Sequence, residues 1–320
     1  MNGNILSDTL SRGKLQGKLN LNSFIKTCML CLLLAIAQLS VAGEQADVDS
    51  QFCYLPTLSN VAYSTIAKLP VASPSEVIAY GRDRFQFAEL WLPPVANFDN
   101  TQVQREPLRR APLVVLVHGG CWLNSFDITH THALSTALSQ SGYAVWSIEY
   151  RRTGDPGGGW PGSYNDVKSA IAYMPELAQF PVDLENVAIV GHSAGGHLAL
   201  LAGADHLYGF KAVVGLAAIV DLAKYAQGEN SCQTATPKFM SGTIDSVPEA
   251  YLAANPAERV LHKTTVLLHG KQDSIVPIEH AKSSNMRVRL IDGGGHFDVL
   301  HPGTQSFRTL LQELARAFAK

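Results

Sequence analysis

The chain has 320 residues, of which 46% are hydrophobic and 16% charged, so it can bury a substantial core in one large domain or two small ones. Its formal net charge is −2, and no basic run is long enough to form a phosphate-binding face. This balance excludes nucleic acid as an expected partner.

The first 43 residues have the pattern of a secretory signal peptide. Lysines within residues 14–26 precede an apolar run, Cys28–Ala37, and small residues follow it. We therefore predict cleavage near Ala42 or Gly43, a secreted or periplasmic location, and no stable membrane association after cleavage. The apolar run is shorter than the about 20 residues of a membrane span. An uncleaved N-terminal anchor is the alternative.

Strand and helix patterns alternate after a lead-in of residues 44–75. Alternating or continuous apolar runs predict strands at 85–93, 112–120, 143–151, 186–193, 211–220, 264–273 and 286–292. Amphipathic or apolar runs between them predict helices at 130–142, 163–174, 194–204, 247–260, 277–284 and 304–320. This alternation predicts a mostly parallel sheet with helices on both faces, as one domain over residues 76–320.

Three cysteines follow the predicted signal: Cys53, Cys121 and Cys232. In an oxidising compartment two of them can form a disulfide. We expect the pair Cys53–Cys232, because Cys121 lies inside a motif described below; reduced cysteines are the alternative.

Ser193 is the candidate nucleophile. It lies in "GHSAG", a G-x-S-x-G motif between a predicted strand and a predicted helix. A nucleophilic serine needs such a strained strand-to-helix turn, and the flanking glycines leave room for it. The alternative is a tight turn with a buried serine. We interpret the neighbouring His192 and His197 as packing or pocket-lining residues, since a general base must reach the hydroxyl from across the pocket.

A second glycine motif, "HGGCW", ends the strand pattern at 112–120. Consecutive glycines let backbone N–H groups turn toward a carbonyl oxygen that gains charge during reaction. The predicted oxyanion hole therefore comprises Gly119, Gly120 and Cys121, with Ala194 after the nucleophile. A glycine turn that merely ends a strand is the alternative.

Asp273 and His296 are the candidate acid and base. Each follows a predicted strand, so Ser193, Asp273 and His296 occupy three strand ends in the order nucleophile, acid, base. Competing acids are Asp221, Asp292 and Asp298. A metal site formed by His118, His269 and His296 on separate strand ends is a rival interpretation, but no H-x-x-x-H or C-x-x-C spacing supports it.

The glycine-rich stretch "GDPGGGWPG" resembles a phosphate-binding loop only superficially. It lacks the Gly-Lys-Ser/Thr that such a loop needs, and its prolines favour a compact surface loop. We therefore expect no nucleotide and no other cofactor.

Together, "HGGCW", "EYRR", "GDPGGGWPG", "GHSAGGHLAL", "LLHGKQDSIVP" and "GGGHFDVLHP" resemble the α/β-hydrolase superfamily. Within it they are most similar to the bacterial carboxylesterase/feruloyl-esterase-like group and the kynurenine formamidase (arylformamidase) group. The resemblance runs from about Phe85 to the C-terminus. It implies Ser193 as nucleophile, Asp273 as acid and His296 as base, with 119–121 and Ala194 as oxyanion donors.

The chain departs from the resemblance at two places. Cys121 stands where many relatives have Gly or Tyr. The segment Lys224–Pro248 is expected to form a short insertion over the site rather than a large apolar lid, which disfavours long-chain lipids.

The expected function is hydrolysis of small or aryl carboxylic esters through an acyl-enzyme. A kynurenine formamidase is the main alternative, and the signal peptide disfavours it. A non-catalytic binding protein on the same fold is a further alternative, which the presence of all three candidate residues disfavours. The expected partner is a small ester, and no oligomeric state is predicted.

Overall fold

A central sheet organises the part of the chain that the computed structural model describes, residues 52–57, 59–94, 110–282 and 284–319. The predicted signal peptide lies outside these residues. Eight strands are present in them: β1 (Glu76–Ala79), β2 (Phe87–Trp91), β3 (Ala111–Val117), β4 (Ala144–Ile148), β5 (Val182–His192), β6 (Ala212–Leu216), β7 (Thr265–Gly270) and β8 (Arg287–Ile291).

The strands lie in the order β1-β2-β4-β3-β5-β6-β7-β8. β1 pairs with β2 and β2 with β4 in antiparallel fashion, and every other neighbouring pair is parallel. The prediction of a mostly parallel sheet is confirmed. β1, which was not predicted, is a short, largely exposed edge strand without a clear apolar alternation.

Helices cover both faces of the sheet because its strands are apolar on both sides. In β3, Leu113, Val115 and Val117 belong to one buried cluster, while Val114 and Leu116 belong to another. The helices are α1 (Tyr63–Ile66), α2 (His132–Gln140), α3 (Gly162–Ala172), α4 (Ala194–Ala204), α5 (Leu222–Tyr225), α6 (Ser231–Phe239), α7 (Pro248–Ala254), α8 (Glu279–Lys282) and α9 (Gln305–Phe318). In the described ranges, no helix combines the length and apolar character needed to cross a membrane.

Helices α5, α6 and α7 form the short cap between β6 and β7, as expected for the insertion. The cap contacts the glycine-rich stretch 154–162, since the Trp160 N–H donates to Phe239 O at 2.8 Å and the two rings lie 6.4 Å apart. This stretch is therefore a turn that supports the cap helix α6.

Candidate active site

Ser193 occupies the turn between β5 and α4. Its backbone has φ 52° and ψ −116°, a left-handed conformation that costs an L-residue on the order of 1–3 kcal/mol. Two hydrogen bonds hold it there: its N–H donates to Leu216 O at 2.8 Å, and its carbonyl accepts from the His197 N–H at 3.0 Å. The strained turn presents the serine side chain at the carboxyl ends of the strands.

The two glycines of the serine motif are required by close backbone approach. A Cβ atom on Gly195 would meet the carbonyl oxygens of Val117 and His118, and one on Gly191 would meet the carbonyl of Gly195. The motif therefore allows α4 to pack directly against the ends of β3 and β5.

Asp273 and His296 come together as the sequence order predicted. His296 Nδ1 donates to Asp273 Oδ2 at 2.8 Å, while Asp273 Oδ1 accepts the N–H groups of Ile275 and Val276, each at 2.8 Å. Burial alone would raise the pKa of Asp273. The hydrogen bond and charge of His296 and the backbone donor Val276 outweigh it, so the pKa of this carboxyl lies below its ordinary value. The buried carboxylate is thus held ionised against the ring.

Ser193 and His296 line the same pocket, of about 290 Å³. Among the described residues no direct hydrogen bond joins their side chains. The pocket is lined by Tyr63, Gly120, Cys121, Leu123, Phe126, His130, Ser193, Ser231, Cys232, Ile275, His296 and Phe297. Most of these side chains are apolar or aromatic, which is typical of a small-molecule site.

The glycine turn after β3 has an unusual backbone. Gly120, Cys121 and Trp122 have φ values of 105°, 54° and 58°, so three successive residues are left-handed. In the described structure, the N–H groups of Gly120, Cys121 and Ala194 donate to no protein acceptor. Gly119 does not line the pocket, although a Cβ atom on it would lie 3.1 Å from Ser193 Cβ. Three unpaired donors on two loops are the arrangement needed to bind an oxyanion.

A buried ion network beneath this turn was missed by the sequence analysis. His118 Nδ1 lies 2.8 Å from Gly119 O, and His118 Nε2 lies 2.9 Å from Glu149 Oε1. Both acceptors, a carbonyl and a carboxylate, thus face the two ring nitrogens of His118. Burial raises the pKa of Glu149, but the charges of His118 and Arg152 bring it below its ordinary value. The "EYRR" stretch at the end of β4 is the sequence signal that carries this network.

The network orients one of these unpaired N–H groups. The C=O and the following N–H of a trans peptide point in opposite directions. The hydrogen bond from His118 to Gly119 O therefore turns the Gly120 N–H toward the pocket.

The predicted disulfide Cys53–Cys232 is wrong. Cys121 and Cys232 are bonded, with Cα atoms 5.0 Å apart, within the usual range for a disulfide. The cap returns over the glycine turn and brings Cys232, in the first turn of α6, against Cys121. Cys53 is exposed and lies outside this bond.

The other candidate residues have structural contacts. His192 and His197 are buried, and their Nε2–H groups donate to the carbonyls of His296 and Ala254. Asp221 caps α5 by accepting the Lys224 N–H, and Asp292 is exposed beside Lys271. Asp298 is buried and accepts two backbone N–H groups of the lead-in.

The histidines of the rival metal interpretation are engaged by protein groups. His118 binds Glu149, His269 Nε2 donates to Val276 O at 2.9 Å, and His296 binds Asp273. Within the described ranges, no group of three or more His, Cys, Asp or Glu residues could hold a metal ion.

Comparison with known families finds one matching family model. A family model described as BD-FAE matches residues 102–288, more than half of the chain. The chain belongs to the BD-FAE family.

Named relatives are esterases. The chain is 29% identical over 252 residues to esterase LipC of Mycobacterium tuberculosis, an alignment that covers 70% of this chain and 60% of LipC. It is 40% identical over 119 residues to neutral cholesterol ester hydrolase 1 of Rattus norvegicus, covering 36% of this chain and 28% of that protein. The chain thus spans less than two thirds of the length of these curated relatives.

Solved structures confirm the α/β-hydrolase fold. Esterase B from Lactobacillus Rhamnosis superposes with a TM-score of 0.64 at 16% identity, covering 93% of this chain and 95% of that one. The BD-FAE match includes Ser193, Asp273 and the 119–121 turn but ends before His296. The loop that carries His296 and the lead-in that contacts it lie outside the matched region.

Proposed function

We propose that this BD-FAE chain is a serine hydrolase that cleaves small or aryl carboxylic esters through an acyl-enzyme on Ser193. One observation carries the proposal. The His296–Asp273 pair and the strained Ser193 turn meet at a pocket that is also lined by the glycine turn with unpaired N–H groups. The esterase names of the relatives support ester substrates over formamides.

In the proposed reaction, Ser193 Oγ attacks the ester carbonyl and its proton passes to His296 Nε2. Asp273 stabilises the resulting imidazolium through Nδ1. The N–H groups of Gly120, Cys121 and Ala194 bind the oxyanion of the tetrahedral intermediate. Loss of one such donor typically slows an enzyme by about 10²–10³-fold.

Collapse of this intermediate breaks the bond to the alcohol, which leaves with the proton from His296. The acyl group remains on Ser193 Oγ. Water then attacks the acyl-enzyme, His296 accepts a proton from it, and a second tetrahedral intermediate collapses to the carboxylic acid and free serine.

The pocket supports small or aryl substrates. Its volume of about 290 Å³ is at the low end for small-molecule sites, and Phe126, Phe297 and Ile275 contribute apolar surface. The cap of the described structure consists of the short helices α5 to α7, which do not form a long apolar lid.

Serine labelling tests the proposal. Ser193→Ala should abolish hydrolysis of p-nitrophenyl acetate and labelling by a fluorophosphonate probe, because the attacking oxygen is lost. Ser231→Ala, which removes another serine hydroxyl from the same pocket, is the matched control and should retain both. Retained labelling of the Ser193 variant would remove this residue from its role.

The ester preference is tested with a substrate panel. We expect kcat/KM for an aryl acetate or a feruloyl ester to exceed that for N-formylkynurenine by about 100-fold or more, a difference of about 2.7 kcal/mol in transition-state binding. A formamide preference of that size would contradict the proposal and favour a formamidase.

We also propose that residues 1–43 direct export, as their pattern predicts. The Cys121–Cys232 disulfide supports this, since such bonds persist mainly in oxidising compartments. Recovery of the protein in the cytoplasmic fraction with its N-terminus still at residue 1 would contradict the proposal.

A further inference from the structure

The lead-in residues 59–66, here named the strap, form part of the pocket wall. We propose that Tyr63 on the strap limits the size of the substrate group that the pocket accepts, and that Asp298 is the positioning residue that holds the strap there. The inference rests on the proposed ester hydrolysis at Ser193.

Tyr63 lies at the pocket among other rings. Its ring centroid is 5.8 Å from Phe126 in an edge-to-face contact, 5.5 Å from Phe297 and 6.3 Å from His130. These distances fall in the range of favourable aromatic pairs. Tyr63 is 36% exposed, so its ring packs against this cluster on one side and faces solvent on the other. The cluster closes one side of the pocket that holds Ser193 and His296.

The strap is attached to the loop that carries the proposed base. The backbone N–H groups of Asn60 and Val61 donate to the two oxygens of Asp298, each at 2.8 Å. Asp298 is 1% exposed and follows His296 by two residues. Hydrogen bonds to a carboxylate are shorter and stronger than those between neutral groups. One buried carboxylate therefore fixes the start of α1 relative to His296.

Further contacts restrict both sides of this attachment. Thr304 Oγ1 donates to Asp298 O at 2.6 Å, and Ile66 at the end of the strap is buried in the core. A Cβ atom on Gly295 would meet Asn60 Oδ1, so the strap and the glycine loop are in direct contact. The position of the Tyr63 ring is thus determined by the loop of His296.

Among the described residues that line the pocket, Tyr63 alone precedes the region that defines the family, residues 102–288. The rest of the wall comes from the glycine turn, the cap and the strand ends. Size selection by Tyr63 would therefore be a property of this chain's own lead-in.

The first test compares substrates of different size. In Tyr63→Ala, the ratio of kcat/KM for p-nitrophenyl octanoate to that for p-nitrophenyl acetate should rise about tenfold, because the lost ring opens room for the longer acyl chain. Tyr63→Phe keeps the ring and should leave the ratio within about twofold of the wild type. An unchanged ratio in Tyr63→Ala would overturn the role of Tyr63.

This failure is distinguishable from failure of the proposed function. Suppose that Ser193 is still labelled by the fluorophosphonate in Tyr63→Ala and that the octanoate-to-acetate ratio of kcat/KM is unchanged. The inference about the strap is then wrong, while the hydrolase proposal stands. If Ser193→Ala retains hydrolysis, the hydrolase proposal is wrong and the inference falls with it.

The second test addresses Asp298. Asp298→Asn replaces one acceptor oxygen by a donor, so hydrogen exchange in a peptide spanning 59–66 should accelerate about tenfold or more. The octanoate-to-acetate ratio should shift in the same direction as in Tyr63→Ala. Asp292→Asn alters an exposed aspartate on the same loop and should change neither readout.

Unchanged exchange in Asp298→Asn would overturn the positioning role, and so would faster exchange with an unchanged substrate ratio. Should Asp298→Asn fail to fold, Tyr63→Ala alone decides whether the strap selects substrates.

Discussion

At the scale of single residues, the proposed site depends on charges whose positions are fixed by burial. The Asp273 side chain is fully buried, yet two backbone N–H groups and His296 keep its carboxyl group ionised. Each of its oxygens thus has a separate task, since Oδ1 anchors the carboxylate to its own loop and Oδ2 binds the ring. The imidazole is held in the tautomer that leaves Nε2 free to accept a proton.

Asp273→Asn should therefore lower kcat by about 10⁴-fold, because the amide can donate to Nδ1 and stabilise the wrong tautomer. The measurement is steady-state hydrolysis of an aryl acetate. Asp221→Asn changes a competing acid that only caps α5 and contacts Asn255, so its kcat should stay within a few-fold of the wild type. The opposite ranking of the two variants would assign the acid to Asp221.

At the scale of elements, the cap helix α6 holds the glycine turn after β3 at two adjacent points. Cys121 is bonded to Cys232 near the start of α6, and Trp122 stacks on Phe239 at its end, with ring centroids 4.6 Å apart. Cys121 and Trp122, which α6 holds in this way, are also the two non-glycine residues of the turn that have a positive φ. Packing against α6 therefore offsets a backbone strain on the order of 1–3 kcal/mol per residue.

Removing the disulfide should weaken both stability and turnover. The bond joins residues 111 positions apart, and loss of such a cross-link typically costs about 2–5 kcal/mol of unfolding free energy. We expect Cys232→Ser, or reduction of the wild type, to lower the urea midpoint and to reduce kcat more than it raises KM, since the proposed oxyanion donors lose their fixed position.

Cys53→Ser is the matched control for this experiment. Cys53 lies outside the bond, so a reductant should still destabilise that variant as it does the wild type. If the reductant no longer destabilised the Cys53→Ser variant, the disulfide would have to involve Cys53, as first expected from the sequence.

At the scale of the whole molecule, buried neutral histidines make the fold sensitive to acid. Burial lowers the pKa of His130 to about 3, and those of His197 and His280 to about 4; that of His192 falls well below its ordinary value. In the unfolded chain each would titrate near 6.5. Between these values the unfolded state binds more protons, so stability rises with pH.

The stability supplied by these histidines should therefore be complete above about pH 6.5 and be lost progressively as pH falls toward 4. The lowered pKa of Asp273 adds to the loss at still lower pH, as its carboxylate becomes protonated. Urea unfolding at several pH values should show an uptake of about three to four protons on unfolding near pH 5. A pH-independent free energy of unfolding between pH 7 and 5 would contradict this.

The sequence predicted what local patterns and chain order determine. Apolar runs predicted β3, β5 and β7, and the glycines at 191 and 195 predicted the serine turn because only they allow the close backbone approach. The sequence could not show that α6 returns to Cys121 across 111 residues, nor that the lead-in brings Tyr63 to the pocket. Both depend on tertiary packing of segments that have no local signal of their own.

The His118–Glu149 pair was missed for a related reason. Each residue lies at the end of a different strand, and nothing in its own segment predicts an ion pair. Only the parallel register of β3 and β4 places the two side chains together.

Four imidazole rings stand in a row from the ion network to the site, with neighbouring centroids 5.7 Å apart for His118–His130, 5.9 Å for His130–His192 and 4.7 Å for His192–His296. The two middle rings are neutral, since their pKa values are lowered by burial and by the flanking charges. They separate the His118–Glu149 pair at one end from the ring that takes up a proton in the proposed reaction. The charge that His296 gains in the proposed reaction would therefore lie next to a neutral ring.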